Sequence, residues 1–137
     1  MSAGKNRPFK LTAPVPREHS VQAQVAHLLA IEIAPAGQAS CWGVLWFSID
    51  HANAAGLPAL RTRRGIVAGV PDVYLQHNGR AHFIELKTAV GRVTAVQRDM
   101  AAQLIQAGSP VAVARDGNEV LALLDHWQIP RHRRTTL

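Results

Sequence analysis

Two apolar runs, Val73 to Gln76 and Ala81 to Lys87, flank His77-Asn78-Gly79-Arg80. Asn and Gly both tolerate positive φ, so an Asn-Gly pair between apolar runs marks a tight β-hairpin. The hairpin lays the two runs side by side, and the rest of the chain must be arranged around that pair. Side chains alternate faces along a strand, so Phe83, Glu85 and Lys87 share one face while His82, Ile84 and Leu86 share the other. A strand suited to burial on both faces thus carries Glu and Lys toward one side. Burying a charge is costly unless it is paired or bound to a metal. Taken alone, Glu85-Leu86-Lys87 is also explained by a Glu85–Lys87 ion pair at the end of an exposed strand.

Asp72 changes that balance. The segment Gly65-Ile66-Val67-Ala68-Gly69-Val70-Pro71-Asp72 delivers a carboxylate at the start of the first hairpin strand, which folds back beside Glu85. An Asp after Pro is by itself a common turn residue. Two carboxylates converging with an ammonium nearby make a site for a hard divalent cation such as magnesium.

The remaining elements follow from periodicity and punctuation. Val21, Val25, Leu28 and Leu29, with Glu32 at the margin, predict a helix from Arg17 to about Ala34, ended by Pro35 and Gly37. Val44 to Ile49 is a short apolar run suited to a buried strand. Asp50 to Gly69 has no clear period and is expected as a long loop carrying Arg61, Arg63 and Arg64. Thr94 and Gln97 have capping-box spacing at the head of a helix to Ala107, with Val96, Met100 and Leu104 as its apolar stripe and Gly108 as its stop. Pro110 to Ala114 is a short buried strand. Asp116 and Glu119 open a last helix to about Trp127, before Pro130. The order is helix, three strands with a hairpin, helix, strand, helix, which predicts an α/β fold with a central mixed sheet flanked by helices. The expected organisation is a flexible basic arm over residues 1–16, one domain over 17–129 and a basic, solvated tail over 130–137.

Composition narrows the class. The chain has 137 residues, 47% of them hydrophobic, enough for one domain with a real core. The net charge of +6 favours encounter with polyanions, although a generic solubility charge would look the same. The single cysteine, Cys41, excludes an intramolecular disulfide and a cysteine-rich zinc site, and fits a cytoplasmic location. Cys41, Trp42, Trp46 and Trp127 are expected in the core. Met1 to Lys10 is polar and basic, unlike a secretory signal, and no run approaches the ~18 apolar residues that span a bilayer. No membrane association and no small-molecule cofactor are expected.

The motifs together resemble the PD-(D/E)XK nuclease superfamily, and in particular its VRR-NUC branch. The residues that carry the resemblance are Glu18-His19-Ser20-Val21-Gln22, Gly69-Val70-Pro71-Asp72, Ile84-Glu85-Leu86-Lys87 and Gly91-Arg92-Val93-Thr94-Ala95-Val96-Gln97, with Ala107-Gly108-Ser109-Pro110-Val111 at the next corner. The resemblance spans roughly residues 17 to 127 and implies a restriction-endonuclease-like core. It implies that Asp72, Glu85 and the Leu86 carbonyl bind Mg2+, or Mn2+ as a substitute, and that Lys87 sits by the attacking water. It also implies an outer role for Glu18, directly or through water, and contact of Gln97 with the water, the lysine or the phosphate.

Two of these have structural rivals. Glu18 lies in a first helical turn, where the dipole favours a carboxylate in any case, and Gln97 is also the expected third residue of the capping box. Gln22, one turn after Glu18, reads only as its support. Arg61, Arg63, Arg64 and Arg92 are candidate phosphate contacts, with a solvated basic loop as the alternative.

The expected function is a Mg2+-dependent endonuclease on DNA, selective for branched forms such as four-way junctions and acting as a homodimer. The alternative is a non-catalytic nucleic-acid-binding module, or a subunit of a repair or restriction complex.

Overall fold

The computed structural model describes residues 18–49 and 63–133, with side chains from Ser20 onward in the first segment. Arg61, the basic arm expected over residues 1–16, the last residues of the tail and the side chain of Glu18 lie outside the described residues. The element order is α1 (Glu18–Glu32), β1 (Leu45–Ser48), β2 (Val73–His77), β3 (Arg80–Leu86), α2 (Ala95–Gln106), β4 (Val111–Ala114) and α3 (Gly117–His126). The four strands form one mixed sheet in the order β1-β2-β3-β4. Neighbours pair antiparallel across β1–β2 and β2–β3, and parallel across β3–β4. A parallel pair needs a crossover, and α2 supplies it. This is the α/β fold with a central mixed sheet and flanking helices, consistent with a restriction-endonuclease-like core.

The hairpin forms as expected, and it fixes the register of the sheet. Asn78 and Gly79 adopt φ of 52° and 72°, His77 pairs with Arg80, and Val73 lies opposite Ile84. One sheet face is dry: Trp46, Leu75, Ile84 and Leu86 pack against Val21, Val25, Leu29 and Ile33 of α1 and its end, and against Val120 and Leu124 of α3. His82 belongs to this face, 5% exposed beside Trp127, and burial holds its imidazole below the ordinary histidine pKa. The capping box of α2 is complete, with Thr94 accepting from the Gln97 N–H and Gln97 Oε1 accepting from the Thr94 N–H.

Several expected core residues lie elsewhere. Trp46 is buried with its indole N–H on the Ala34 carbonyl, and Trp127 is partly buried. Cys41 and Trp42, however, are exposed, because they sit in a turn that Ser40 and Gly43 close before burial begins at Val44. Trp42 instead meets the His132 ring at 4.7 Å. The Val96-Met100-Leu104 stripe is no core stripe either. No residue of α2 is buried, and Val96 is 52% exposed. The helix meets the rest of the chain mainly through its first turn and β4, which leaves little room for its middle to be covered.

Arg131, expected to be solvated, is tied down. Its guanidinium donates from Nε and Nη2 to the two carboxylate oxygens of Asp125, and from Nη1 to Glu32 Oε2 at 3.1 Å. The His132 N–H adds a bond to the Glu32 carbonyl. The contact closes the C-terminal segment over the end of α1, because Glu32 is buried and its charge needs a partner. Arg131→Ala is therefore expected to cost about 3 kcal/mol by leaving the Glu32 carboxylate unpaired. Asp125→Ala, at the exposed end of the same contact, is expected to cost clearly less; urea denaturation of the two variants checks the order.

Candidate active site

The site lies at the end of the hairpin where β2 begins and β3 ends. The turn before β2 depends on Gly69, whose φ is +87°. A Cβ there would lie 2.6 Å from the Val96 carbonyl oxygen, so the turn presses against the first turn of α2 and only glycine fits. Pro71 and Asp72 follow, both buried. Asp72 Oδ2 accepts the Leu86 backbone N–H at 2.8 Å, which locks the carboxylate onto the strand between Glu85 and Lys87. The Ile49 N–H, just beyond β1, donates to the Asp72 carbonyl and fixes it from the other side.

Glu85 projects from the face opposite Ile84 and Leu86, as strand alternation requires. It is 4% exposed and Lys87 is 7% exposed. Glu85 Oε1 carries two contacts, the Gln97 side-chain amide at 2.9 Å and the Lys87 ammonium at 3.4 Å. Glu85 Oε2 is buried and has no hydrogen-bond partner among the described residues. Burial first, and the neighbouring Asp72 carboxylate second, push the Glu85 carboxyl up to about 7, with Lys87 opposing them. The protein holds a carboxylate pair that it only partly compensates.

Helix starts bracket this pair from two sides. Gln97, in the first turn of α2, completes the capping box as expected and also reaches Glu85, a carboxylate contact that differs from the expected one with water, lysine or phosphate. Gln22, in the second turn of α1, donates from Nε2 to Asp72 Oδ1 at 3.1 Å. One glutamine amide thus serves each carboxylate. The sequence reading places Gln22 only behind Glu18, since nothing local reveals a contact across fifty positions. The glutamine in Glu18-x-x-x-Gln22 was nevertheless the available signal. The Glu18 backbone is the first residue of α1.

Arg63 and Arg64 are exposed in the segment leading to Gly69, and Arg92 is exposed between β3 and α2. Among the described residues no group of three or more His, Cys, Asp or Glu gathers as a metal set, so a cation here would rest on two carboxylates and other oxygens. The donor chemistry fits a hard cation: two carboxylates side by side, one with a buried oxygen lacking a partner, beside strand backbone. Asp72, Glu85 and the Leu86 carbonyl are the oxygens that would hold it.

The raised Glu85 pKa has a stability consequence in chelator. The folded state prefers the protonated carboxyl, so this contribution is full below the unfolded value of about 4.5 and is lost as pH rises through about 7. Glu85→Gln mimics the neutral form. The metal-free variant is expected to gain at least ~3 °C in Tm over wild type at pH 8 compared with the same difference at pH 5. Calorimetry at the two pH values reads it, and an equal or smaller gain at pH 8 would count against a destabilising charge.

The comparisons with known proteins bear on the whole arrangement. No curated protein and no solved structure matches the chain significantly. Among the described residues no helix is long and apolar enough to cross a membrane. The family model of the VRR-NUC domain matches residues 20–116, from the helix that carries Gln22, through Asp72, Glu85, Lys87 and Gln97, to the end of β4. With well over half of its length matched, the chain belongs to the VRR-NUC family of nuclease domains.

Proposed function

We propose that the chain is a Mg2+-dependent endonuclease that hydrolyses DNA phosphodiester bonds, with Asp72, Glu85 and Lys87 as its catalytic centre. The observation that carries this reading is the buried Asp72–Glu85 pair with an unpartnered Glu85 oxygen and the Lys87 ammonium 3.4 Å from the other one. Buried carboxylates with a raised pKa beside a second carboxylate cluster at functional sites, where a cation or a reaction uses the charge.

Mg2+, or Mn2+ in its place, would supply Lewis acidity and lower the pKa of a bound water. The residues of the chain do the rest. Asp72 is held by the Gln22 amide and the Leu86 N–H, so its carboxylate is fixed in orientation. Gln97 holds Glu85 in the same way from the other side. Lys87 orients the attacking water and balances the charge that develops on the phosphate. Glu18 would approach as an outer ligand or through water. Arg61, Arg63, Arg64 and Arg92 would contact the phosphate backbone without reading sequence, so binding should weaken steeply with salt.

The substrate proposed is branched DNA such as a four-way junction, cut in the cytoplasm by a homodimer. Symmetric cleavage of two strands needs two centres, and each chain supplies one. On a four-way junction with Mg2+, Lys87→Ala is expected to lower the cleavage rate at least about 100-fold while junction affinity stays within threefold. Linear duplex and chelator serve as controls. A wild type that binds but never cuts with Mg2+ or Mn2+ would overturn the enzyme reading in favour of a binding module. Light scattering is expected to give a dimer mass together with paired cuts, and a monomeric mass with symmetric junction cleavage would remove the dimer.

A further inference from the structure

Lys87 and Gln97 meet on one atom, Glu85 Oε1, although they come from opposite ends of the segment joining β3 to α2. Their mutual geometry therefore depends on how that segment is held. At its start, the Gly91 N–H folds back onto the Thr88 hydroxyl at 3.0 Å. The turn so formed passes close to the stem of Lys87, since a Cβ added at Gly91 would come within 3.5 Å of Lys87 Cδ. The turn presents two carbonyls, that of Thr88, which also accepts the Gly91 N–H at 3.2 Å, and that of Gly91. Both are taken by a single nitrogen, Arg115 Nη1, which donates to the Thr88 oxygen at 2.5 Å and to the Gly91 oxygen at 2.7 Å.

We infer that Arg115 is a positioning residue that clamps the Thr88–Gly91 turn and thereby holds the Lys87 stem and the start of α2 over Glu85; the inference rests on the nuclease reading for its effect on cleavage. The terminal guanidinium nitrogen has two hydrogens, and the two carbonyls use both. Arg115 is itself anchored. It directly follows Ala114 at the end of β4, whose carbonyl accepts the Lys87 N–H, and the Arg115 N–H donates to Glu119 Oε2 at 2.7 Å. Glu119 in turn lies in the first turn of α3, whose N-cap Asp116 accepts its N–H. The clamp thus links the capped start of α3 to the segment that carries Lys87 toward Gln97. An arginine engaged in this way acts through Lys87 and Gln97, not on the phosphate, and that separates it from Arg63, Arg64 and Arg92.

The test uses the full chain with Arg115→Ala and Arg115→Lys. In chelator, amide hydrogen exchange is expected to speed at least about 10-fold at Gly91 and in the first turn of α2 of Arg115→Ala, with β2 and β3 unchanged. On a cleavable DNA substrate kcat is expected to fall about 10- to 100-fold with KM within twofold, since a shift of roughly 1 Å at a reacting group has that effect. The salt dependence of binding should stay that of wild type. Arg115→Lys, which keeps a charged donor within reach of the carbonyls, is expected to recover part of both losses. Unchanged exchange at Gly91 overturns the clamp. So does exchange that speeds uniformly through β2 and β3 in both variants, or a salt slope reduced by about one with kcat intact, which marks a phosphate contact. A wild type that cleaves nothing refutes the nuclease reading, while the exchange measurement still decides the clamp.

Discussion

Two carboxylates buried side by side repel each other and resist desolvation, and the architecture around Asp72 and Glu85 is arranged to hold them there nonetheless. Asp72 is gripped by the Leu86 N–H and the Gln22 amide, and Glu85 by the Gln97 amide and the Lys87 ammonium. These contacts fix positions without cancelling the charge, as the raised Glu85 pKa and its unpartnered oxygen attest. Such a pair is held against its own repulsion and desolvation. The stability withheld here has to come from the rest of the domain, chiefly the dry face between the sheet, α1 and α3.

That division of labour explains the asymmetry of the sheet. One face is a close-packed apolar core. The other carries Glu85 and Lys87 and receives α2, a helix without a single buried residue. A helix so lightly packed is held by its ends, and its first turn is the end that matters for the site. Gly69 admits the close approach of the Val96 backbone, the capping box sets the helix direction, and Gln97 joins the cap to Glu85. The chain belongs to the VRR-NUC family of nuclease domains, and the matched region contains all of these contacts.

Much of this was legible along the chain because the relevant physics is local. The Asn78-Gly79 turn, the alternation that puts Glu85 and Lys87 on one face, the Thr94–Gln97 capping box and the Asp116 cap each involve residues within a few positions of one another. Burial was less legible. Cys41 and Trp42 are apolar enough for a core, yet a turn closed by Ser40 and Gly43 holds them outside it. The α2 stripe has helical spacing, but spacing says which residues share a face and not whether anything covers it. Arg131 reads as part of a solvated run until its partner, Glu32, is seen 99 positions away and buried.

The sequence by itself determined the hairpin, the order of helices and strands, and the placing together of Asp72, Glu85 and Lys87, because turn chemistry and strand periodicity act over short stretches. Only the tertiary structure decided that Gln22 serves Asp72, that Gln97 serves Glu85 as well as its own helix, and that Arg115 closes on the turn behind Lys87. Those contacts join residues from 12 to 50 positions apart. No local rule specifies them; they exist because the sheet and its two flanking helix starts bring distant polar groups to one buried charge.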